Sequence, residues 1–479
     1  MKASEIKLYF PELNVIGDDN VEISGIQIDS RIIKTGNVFV AMKGENFDSH
    51  SKIDEALNRG AVGIVMEKDI SIPKDRFKIL TEDSRKIYSL LSSLFFNFPS
   101  NKLKLVGITG TSGKTTTAFL LYKFFNLIGV KAGFIGTTGI GYCDLFKRNE
   151  DFPPTTPDAF PLNSILSKMV EENIKYVFME VSSHAIKLKR ITGLKFYRKM
   201  LTTIGEEALD FHKTFEEYLN AKLSFFKDEE NVILNADSPY INRFKEISKK
   251  YLLYGINNSA DIEGSIKSKD LEEFGIVVKY KGNETIINLK MGGIFNIYNF
   301  LALSLFILTE GYEINRIKQF AKKIPKIPGR MNFLRKNGRT ILIDFAHNPL
   351  EIDNVLRHLR EFSHGRLFTV VGAVGFSTKK KKLEIGKIAS RYSDFVIVTT
   401  DDPRGDDPGV IAEDVLKGVK GNGKIVINRI EAIKEGITML DKGDIIAILG
   451  RGDETEVHYK EKTIYFTDLE VVKEVLCEN

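Results

Sequence analysis

A chain of 479 residues is longer than one hydrophobic core usually organises, so two or three domains are expected, each burying a core of its own. With 43% hydrophobic and 28% charged residues the composition is that of a soluble globular protein, which excludes a disordered, collagen-like or coiled-coil chain. The net charge of +5 comes from 69 basic and 64 acidic residues that are largely interspersed, dense only from Lys379 to Lys382, so no nucleic-acid partner is expected.

The amino terminus, Met1-Lys2-Ala3-Ser4-Glu5, has no apolar signal core, and no stretch approaches the roughly 20 apolar residues of a spanning helix. A cytoplasmic protein without membrane insertion is expected, and the two distant cysteines, Cys143 and Cys477, fit a reducing compartment. Short strands are predicted at Val38 to Met42 and Val62 to Met66, with a helix from Lys52 to Arg59 between them. The pattern breaks around Phe98-Pro99-Ser100-Asn101, where a domain boundary is placed. A strand from Lys104 to Ile108 then enters a glycine-rich turn and a helix from Lys114. Strands at Tyr176 to Met179 and Val232 to Asn235 continue an alternation that predicts a doubly wound, mostly parallel sheet. The prolines and glycine of Ile324-Pro325-Lys326-Ile327-Pro328-Gly329 mark a second hinge. Beyond it, strands at Thr340 to Asp344, Leu367 to Gly372, Phe395 to Thr399 and Asp444 to Leu449 predict a further, Rossmann-like α/β domain. The expected domains are 1–102, 103–326 and 327–479.

The sharpest local signal is Gly110-Thr111-Ser112-Gly113-Lys114-Thr115-Thr116 between a strand and a helix. Glycines let backbone N–H groups approach a polyphosphate, the helix terminus adds positive partial charge, Lys114 reaches the terminal phosphates and Thr115 can hold Mg²⁺. Nucleotide binding follows, with ATP and Mg²⁺ as the expected cofactors. A longer phosphate loop would have a further glycine where this chain has Ile108.

The shorter loop resembles that of the Mur ligases and folylpolyglutamate synthetases, which join an amino acid to a carboxylate through an acyl phosphate. Other segments choose between them. Asp29-Ser30-Arg31 with Gly36-Asn37-Val38-Phe39-Val40-Ala41 resembles the UDP-binding domain of the Mur ligases that add the third peptide residue. Thr155-Thr156-Pro157-Asp158, Glu180-Val181-Ser182-Ser183-His184-Ala185, Phe295-Asn296-Ile297-Tyr298-Asn299, Pro328-Gly329-Arg330-Met331, Asp344-Phe345-Ala346-His347-Asn348-Pro349, Asp401-Asp402-Pro403-Arg404 and Gly450-Arg451-Gly452 follow in that family's order.

The resemblance implies a small UDP-binding domain, a central phosphate-loop domain and an amino-acid-binding domain. It implies attack of the glutamate γ-carboxylate of UDP-N-acetylmuramoyl-L-alanyl-D-glutamate on ATP, then displacement of phosphate by a diamino acid, meso-diaminopimelate or lysine, on a monomeric enzyme. Lys114, Glu180 and Lys222 are the implied catalytic residues, Lys222 carbamylated and Glu180 on a second Mg²⁺. Structural alternatives are a strand-end ion pair for Glu180 and a solvated helix lysine for Lys222. Ile28, Ser30, Thr155, Thr156, Ser182 and Arg190 match contacts to the UDP precursor, and Asn296 and His347 the adenine or ribose side. Lys382, Asp401, Asp402, Pro403, Arg404, Gly450 and Glu454 match the amino-acid site. There Arg404 can clamp a distal carboxylate or pair with its own acidic loop. Departures from the family's pattern cluster near ligands: Leu188 replaces a glutamine, Ala208 a histidine, Lys382 an arginine, Asp453 a histidine, and Gly375-Phe376-Ser377-Thr378 a polar loop. They leave a second reading, a nucleotide-binding paralogue with altered or lost ligase activity.

Overall fold

A computed structural model describes residues 1–44, 47–143, 145–147, 155–205 and 211–478. The chain divides into two compact units, Met1–Thr109 with Phe125–Lys199, and Gly110–Phe124 with Met200–Asn479.

The first unit opens with a five-stranded sheet in the order Asn14–Gly17, Phe77–Leu80, Gly63–Met66, Asn37–Val40, Gly25–Gln27. Only the Asn14–Gly17 edge runs antiparallel. Successive strand residues point to opposite faces, so Val38, Val40, Val65 and Ile79 enter one core while Phe39, Ala41, Ile64 and Met66 enter another. Burial on both faces explains why these strands read as unbroken apolar runs. The predicted helix is shorter, Ile53–Asn58, because a tight turn at Ser49–Lys52 precedes it. The same unit holds the strands Lys104–Thr109, Tyr176–Glu180 and Ala132–Gly136, parallel neighbours that end in the residues of interest. Gly139–Tyr142 and Leu145–Lys147 extend them antiparallel.

In the second unit Val232–Asn235 and Tyr251–Gly255 pair in parallel, and Ile262–Lys269 follows as the first strand of an antiparallel meander completed by Phe274–Tyr280 and Asn283–Leu289. Nothing in the sequence pattern had announced that meander. The apolar helix Ile294–Thr309 packs on these strands. A six-stranded sheet comes next, ordered Asn332–Lys336, Arg339–Asp344, Ile445–Leu449, Leu367–Val371, Phe395–Val398, Gly423–Ile425 and parallel apart from its first strand. Its two faces again alternate: Leu342, Ala447 and Val398 on one, Ile341, Ile448 and Ile397 on the other. The four strands predicted here all exist, each within one residue of its expected bounds. The hairpin Glu456–His458 with Thr463–Tyr465 stands beside the sheet's loops.

Candidate active site

The phosphate loop leaves the strand ending at Thr109 and enters the helix Lys114–Leu127. Its shape is imposed by close approaches. A Cβ on Gly110 would stand 1.9 Å from Thr202 Oγ1, and one on Gly113, where φ is +85°, would stand 2.2 Å from Asn299 Oδ1. Thr111 accepts a bond at its Oγ1 from the Gly205 amide (2.9 Å), lies 2.7 Å from the Tyr218 hydroxyl, and donates its own amide to Thr203 O (2.6 Å). Thr202 Oγ1 donates to Ser112 O (2.6 Å). The loop is thereby fixed before any phosphate arrives, the preorganisation that anion capture requires. Lys114 Nζ donates to Gly110 O (2.9 Å) and Thr111 O (2.7 Å). Gly113→Ala is expected to weaken ATP binding at least tenfold, since both the left-handed backbone and the contact with Asn299 forbid a methyl group; titration calorimetry with ATP checks this.

Lys222, on the helix Phe215–Phe226, is 1% exposed, which removes the solvated alternative. Its Nζ donates to Gly110 O (3.0 Å) and stands 4.8 Å from the centre of the Tyr218 ring. The loop's first carbonyl thus receives both Lys114 and Lys222. The expected substitution of a histidine by Ala208 falls outside the described residues.

Beside the loop lies a cavity of about 260 Å³, lined by Gly113 and Thr116, by Phe295 and Asn296, and by Arg330 and Met331 among others. Asn296 is held there through Nδ2 to Gly292 O (2.7 Å) and through its Oδ1, which accepts from Asn299 (3.2 Å). His347 is not among the lining residues. Its Nδ1 lies 3.1 Å from Phe345 O and 3.4 Å from Glu351 Oε2, so it orders its own loop. Sequence reasoning quoted Arg330 without giving it a role. Its guanidinium stacks 4.1 Å from the Phe345 ring centre and donates to Thr115 Oγ1 at 3.4 Å. Asp344 ends the adjacent strand and accepts from the amides of Met331 (2.7 Å) and Ala346 (2.8 Å); burial pushes its carboxyl above the usual range, against the pull of Arg330.

Most of the residues expected at the amino-acid site gather at the carboxyl ends of Leu367–Val371, Phe395–Val398 and Ile445–Leu449, adjacent parallel strands and the usual ligand side of such a sheet. Asp402 Oδ2 accepts from Arg404 Nε (3.0 Å), and Oδ1 accepts from the His458 amide (2.8 Å). Arg404 donates its amide to His458 O (2.6 Å) and leaves 53% of its side chain exposed. Arg404 thus pairs within its own loop while about half of its side chain stays exposed. Asp401 is buried against Gly450, where a Cβ would lie 2.3 Å from its Oδ2. Burial raises the Asp401 carboxyl, opposed by Arg429, Arg451 and His347. Pro403 O packs against Gly375, and Glu454 follows in the turn closed by its amide on Arg451 O (2.9 Å). Lys382 lies in the first turn of the helix Lys379–Tyr392, buried on its inward face with Nζ 3.9 Å from Asp414.

In the first unit Glu180 ends the strand Tyr176–Glu180 fully buried. It accepts from the Thr137 amide at 2.9 Å and from the Thr137 hydroxyl at 3.3 Å, and a Cβ on Gly136 would strike it. Thr137 Oγ1 lies 2.8 Å from Thr155 Oγ1, and Thr155 adopts φ +82°. Thr156 donates to Glu180 O (2.8 Å) and accepts from the Ser182 amide (3.1 Å), while Ser182 caps the short helix Ser183–Lys187. Arg190 donates to Thr156 O (3.0 Å) and pairs with Asp158 at 2.5 Å. The structure thus brings Glu180, Thr155, Thr156, Ser182 and Arg190 into one polar network, with Thr137 as the member that sequence reasoning missed. Ser30 and Ile28 belong to the small sheet's edge, Ser30 buried in the turn Ser30–Ile32 and Ile28 against the core.

Three family models match the chain in order: "Mur ligase family, catalytic domain" over residues 22–93, "Mur ligase middle domain" over 108–306 and "Mur ligase, glutamate ligase domain" over 329–452. The UDP-N-acetylmuramoyl-L-alanyl-D-glutamate--2,6-diaminopimelate ligase of Clostridium tetani is 36% identical over 490 residues, covering 100% of both chains. A solved structure of a ligase with that name aligns with TM-score 0.69 and 23% identity, covering 100% of this chain and 99% of the other. The MurF ligase of Thermotoga maritima in complex with ADP aligns with TM-score 0.60 and 21% identity, covering 96% of each. Among the described residues no helix is long and apolar enough to cross a membrane.

Proposed function

The chain belongs to the Mur ligase family, and on that premise we propose that it joins 2,6-diaminopimelate to UDP-N-acetylmuramoyl-L-alanyl-D-glutamate at the expense of ATP, as a cytoplasmic monomer. The observation that carries the reading is the prebuilt phosphate loop, with Lys114 and the buried Lys222 both on Gly110 O, beside a cavity of about 260 Å³ in a chain that spans its diaminopimelate-ligase relative end to end.

The glutamate γ-carboxylate attacks the terminal phosphorus of ATP, the bond to ADP breaks, and an acyl phosphate forms. The amine of the amino acid then attacks the acyl carbon, phosphate leaves, and the ammonium proton passes to solvent. The first step sets one anion against another, so charge neutralisation and alignment are what the protein must supply. Lys114 swings from the loop carbonyls to the phosphates, and the loop amides hold the oxygens. The cavity beside Asn296 and Arg330 takes the nucleoside. Thr155, Thr156, Ser182 and Arg190 hold the UDP precursor together with Ile28 and Ser30. Arg404 binds the distal carboxylate of diaminopimelate.

Mg²⁺ fits the donor types present. A threonine hydroxyl and a single buried carboxylate, Thr115 and Glu180, suit an ion that keeps water and phosphate ligands and takes only one or two from protein. Thr115 would hold such an ion and Glu180 a second; when bound, they supply countercharge for the phosphates. Buried Lys222 takes the place of the family's carbamylated lysine; a carbamate there would be an anion whose countercharge a metal supplies.

The test is phosphate release from ATP with the UDP-dipeptide precursor and diaminopimelate, L-lysine, D-lysine or L-ornithine supplied separately. Release with diaminopimelate alone is expected. Silence with all four alongside ATP binding would replace this reading with that of an altered paralogue.

A further inference from the structure

We propose that Phe376 is a specificity-determining residue whose ring forms the apolar wall for the methylene chain of the incoming amino acid; this rests on the ligase reading above.

Phe376 is 63% exposed, although large apolar side chains of its kind mostly fill the sheet's two cores. It is also held in the left-handed region, φ +62°, which a bulky residue adopts only when its surroundings impose it. Two bonds impose it here. The Gly375 amide donates to Asp402 O (2.8 Å), and the Phe376 amide donates to Asp406 Oδ2 (2.7 Å). Gly375 has to be glycine, because a Cβ would meet Pro403 O at 2.0 Å. The loop after Leu367–Val371 is therefore stitched to the loop after Phe395–Val398.

The ring comes to rest over Gly405, its Cζ 3.1 Å from where a Cβ would stand. The residue before Gly405 is Arg404, itself at φ +55° and tied through Nε to Asp402. Two non-glycine residues in the left-handed region, one aromatic and one cationic, thus stand on facing loops at the ligand side of the sheet. Costly backbone of this kind persists mainly where function requires the side chain's placement. A flat apolar face against Gly405, on the loop that carries the half-exposed Arg404 one residue earlier, suits a short aliphatic chain ending in a carboxylate. Diaminopimelate has that form, whereas lysine offers the chain without the terminal carboxylate.

The experiment is steady-state phosphate release by the full chain at saturating ATP and UDP precursor, with the amino acid varied, for wild type, Phe376→Ala and Phe376→Leu. The alanine variant is expected to raise KM for the amino acid about tenfold, the discrimination an apolar contact of this size supplies. KM for ATP should stay within twofold, and leucine should recover most of the loss. Three results overturn the proposal: an unchanged amino-acid KM in the alanine variant, an equal rise with alanine and leucine, or a parallel rise in the KM for ATP, which would mean a general loosening of the domain. A wild type silent with every amino acid would overturn the ligase reading and this inference with it, whereas an active wild type with an unaffected alanine variant would overturn this inference alone.

Discussion

Replacing Lys114 by alanine lowers phosphate release by roughly a thousandfold, the scale of losing one preorganised donor to a transition-state anion. Its ammonium now satisfies Gly110 O and Thr111 O, the bonds expected of a lysine waiting for phosphate. Losing two such bonds costs about 1 kcal/mol each, too little to unfold either unit. The loop keeps its other ties, through Thr111 to Tyr218 and Gly205 and through Ser112 to Thr202. Activity should therefore vanish while the thermal midpoint moves by only a few degrees. More than a tenth of wild-type turnover in a well-folded variant would take the loop out of the reaction.

The largest stability effect is expected from Asp468→Ala. Arg429 and Asp468 are 2% and 0% exposed and joined by two bonds, Nε to Oδ1 at 2.8 Å and Nη2 to Oδ2 at 2.7 Å. Arg451, equally buried, lies 3.9 Å from the same carboxylate. Burial disfavours charge on Arg429, but Asp468 and Asp401 outweigh it and hold its pKa above the ordinary value; burial and the neighbouring Arg429 push that of Arg451 down. Without Asp468, two guanidinium groups would face one another with Asp401 as their chief countercharge, and breaking such a buried pair costs about 3–5 kcal/mol. Urea unfolding followed by fluorescence measures it. A loss below about 1 kcal/mol would mean that the carbonyls of Thr400 and Leu449, which Arg429 also reaches, carry the arginine without its partner. The loop proposed to bind the amino acid, Asp401 to Arg404, leaves one of these strands, so the KM for the amino acid is expected to rise as well.

How much of this was legible in the sequence depends on where each signal resides. Gly-Lys-Thr between an apolar strand and a helix is a local pattern, and the loop is where it was expected. Strands buried on both faces announced themselves as apolar runs. The meander from Ile262 to Leu289 did not, because most of Ile262–Lys269 faces solvent and its lysines and serines resemble a loop. Lys382 is expected at the amino-acid site because it stands where the family's pattern has an arginine. Its burial follows from periodicity: Ile385, Gly386 and Ala389 stand three, four and seven residues on, the spacing of one helical face. The role of Arg330 and the presence of Thr137 escaped for a different reason: each matters through a partner distant in sequence, Thr115 for one and Glu180 for the other.

Asp401 is enclosed by two glycines from other strands. A Cβ on Gly450 would strike its carboxylate, and one on Gly372 would come within 3.1 Å of its Cβ. The three positions therefore cannot vary independently: a side chain at 450, already strained at φ +116°, also needs 401 to shrink, and a shrunken 401 leaves Arg429 and Arg451 short of countercharge. Mutational routes through this corner are epistatic, closed one step at a time and open only to concerted change. A library that randomises residues 402 to 404 while leaving 372, 401 and 450 alone would explore new amino-acid preferences without meeting that barrier.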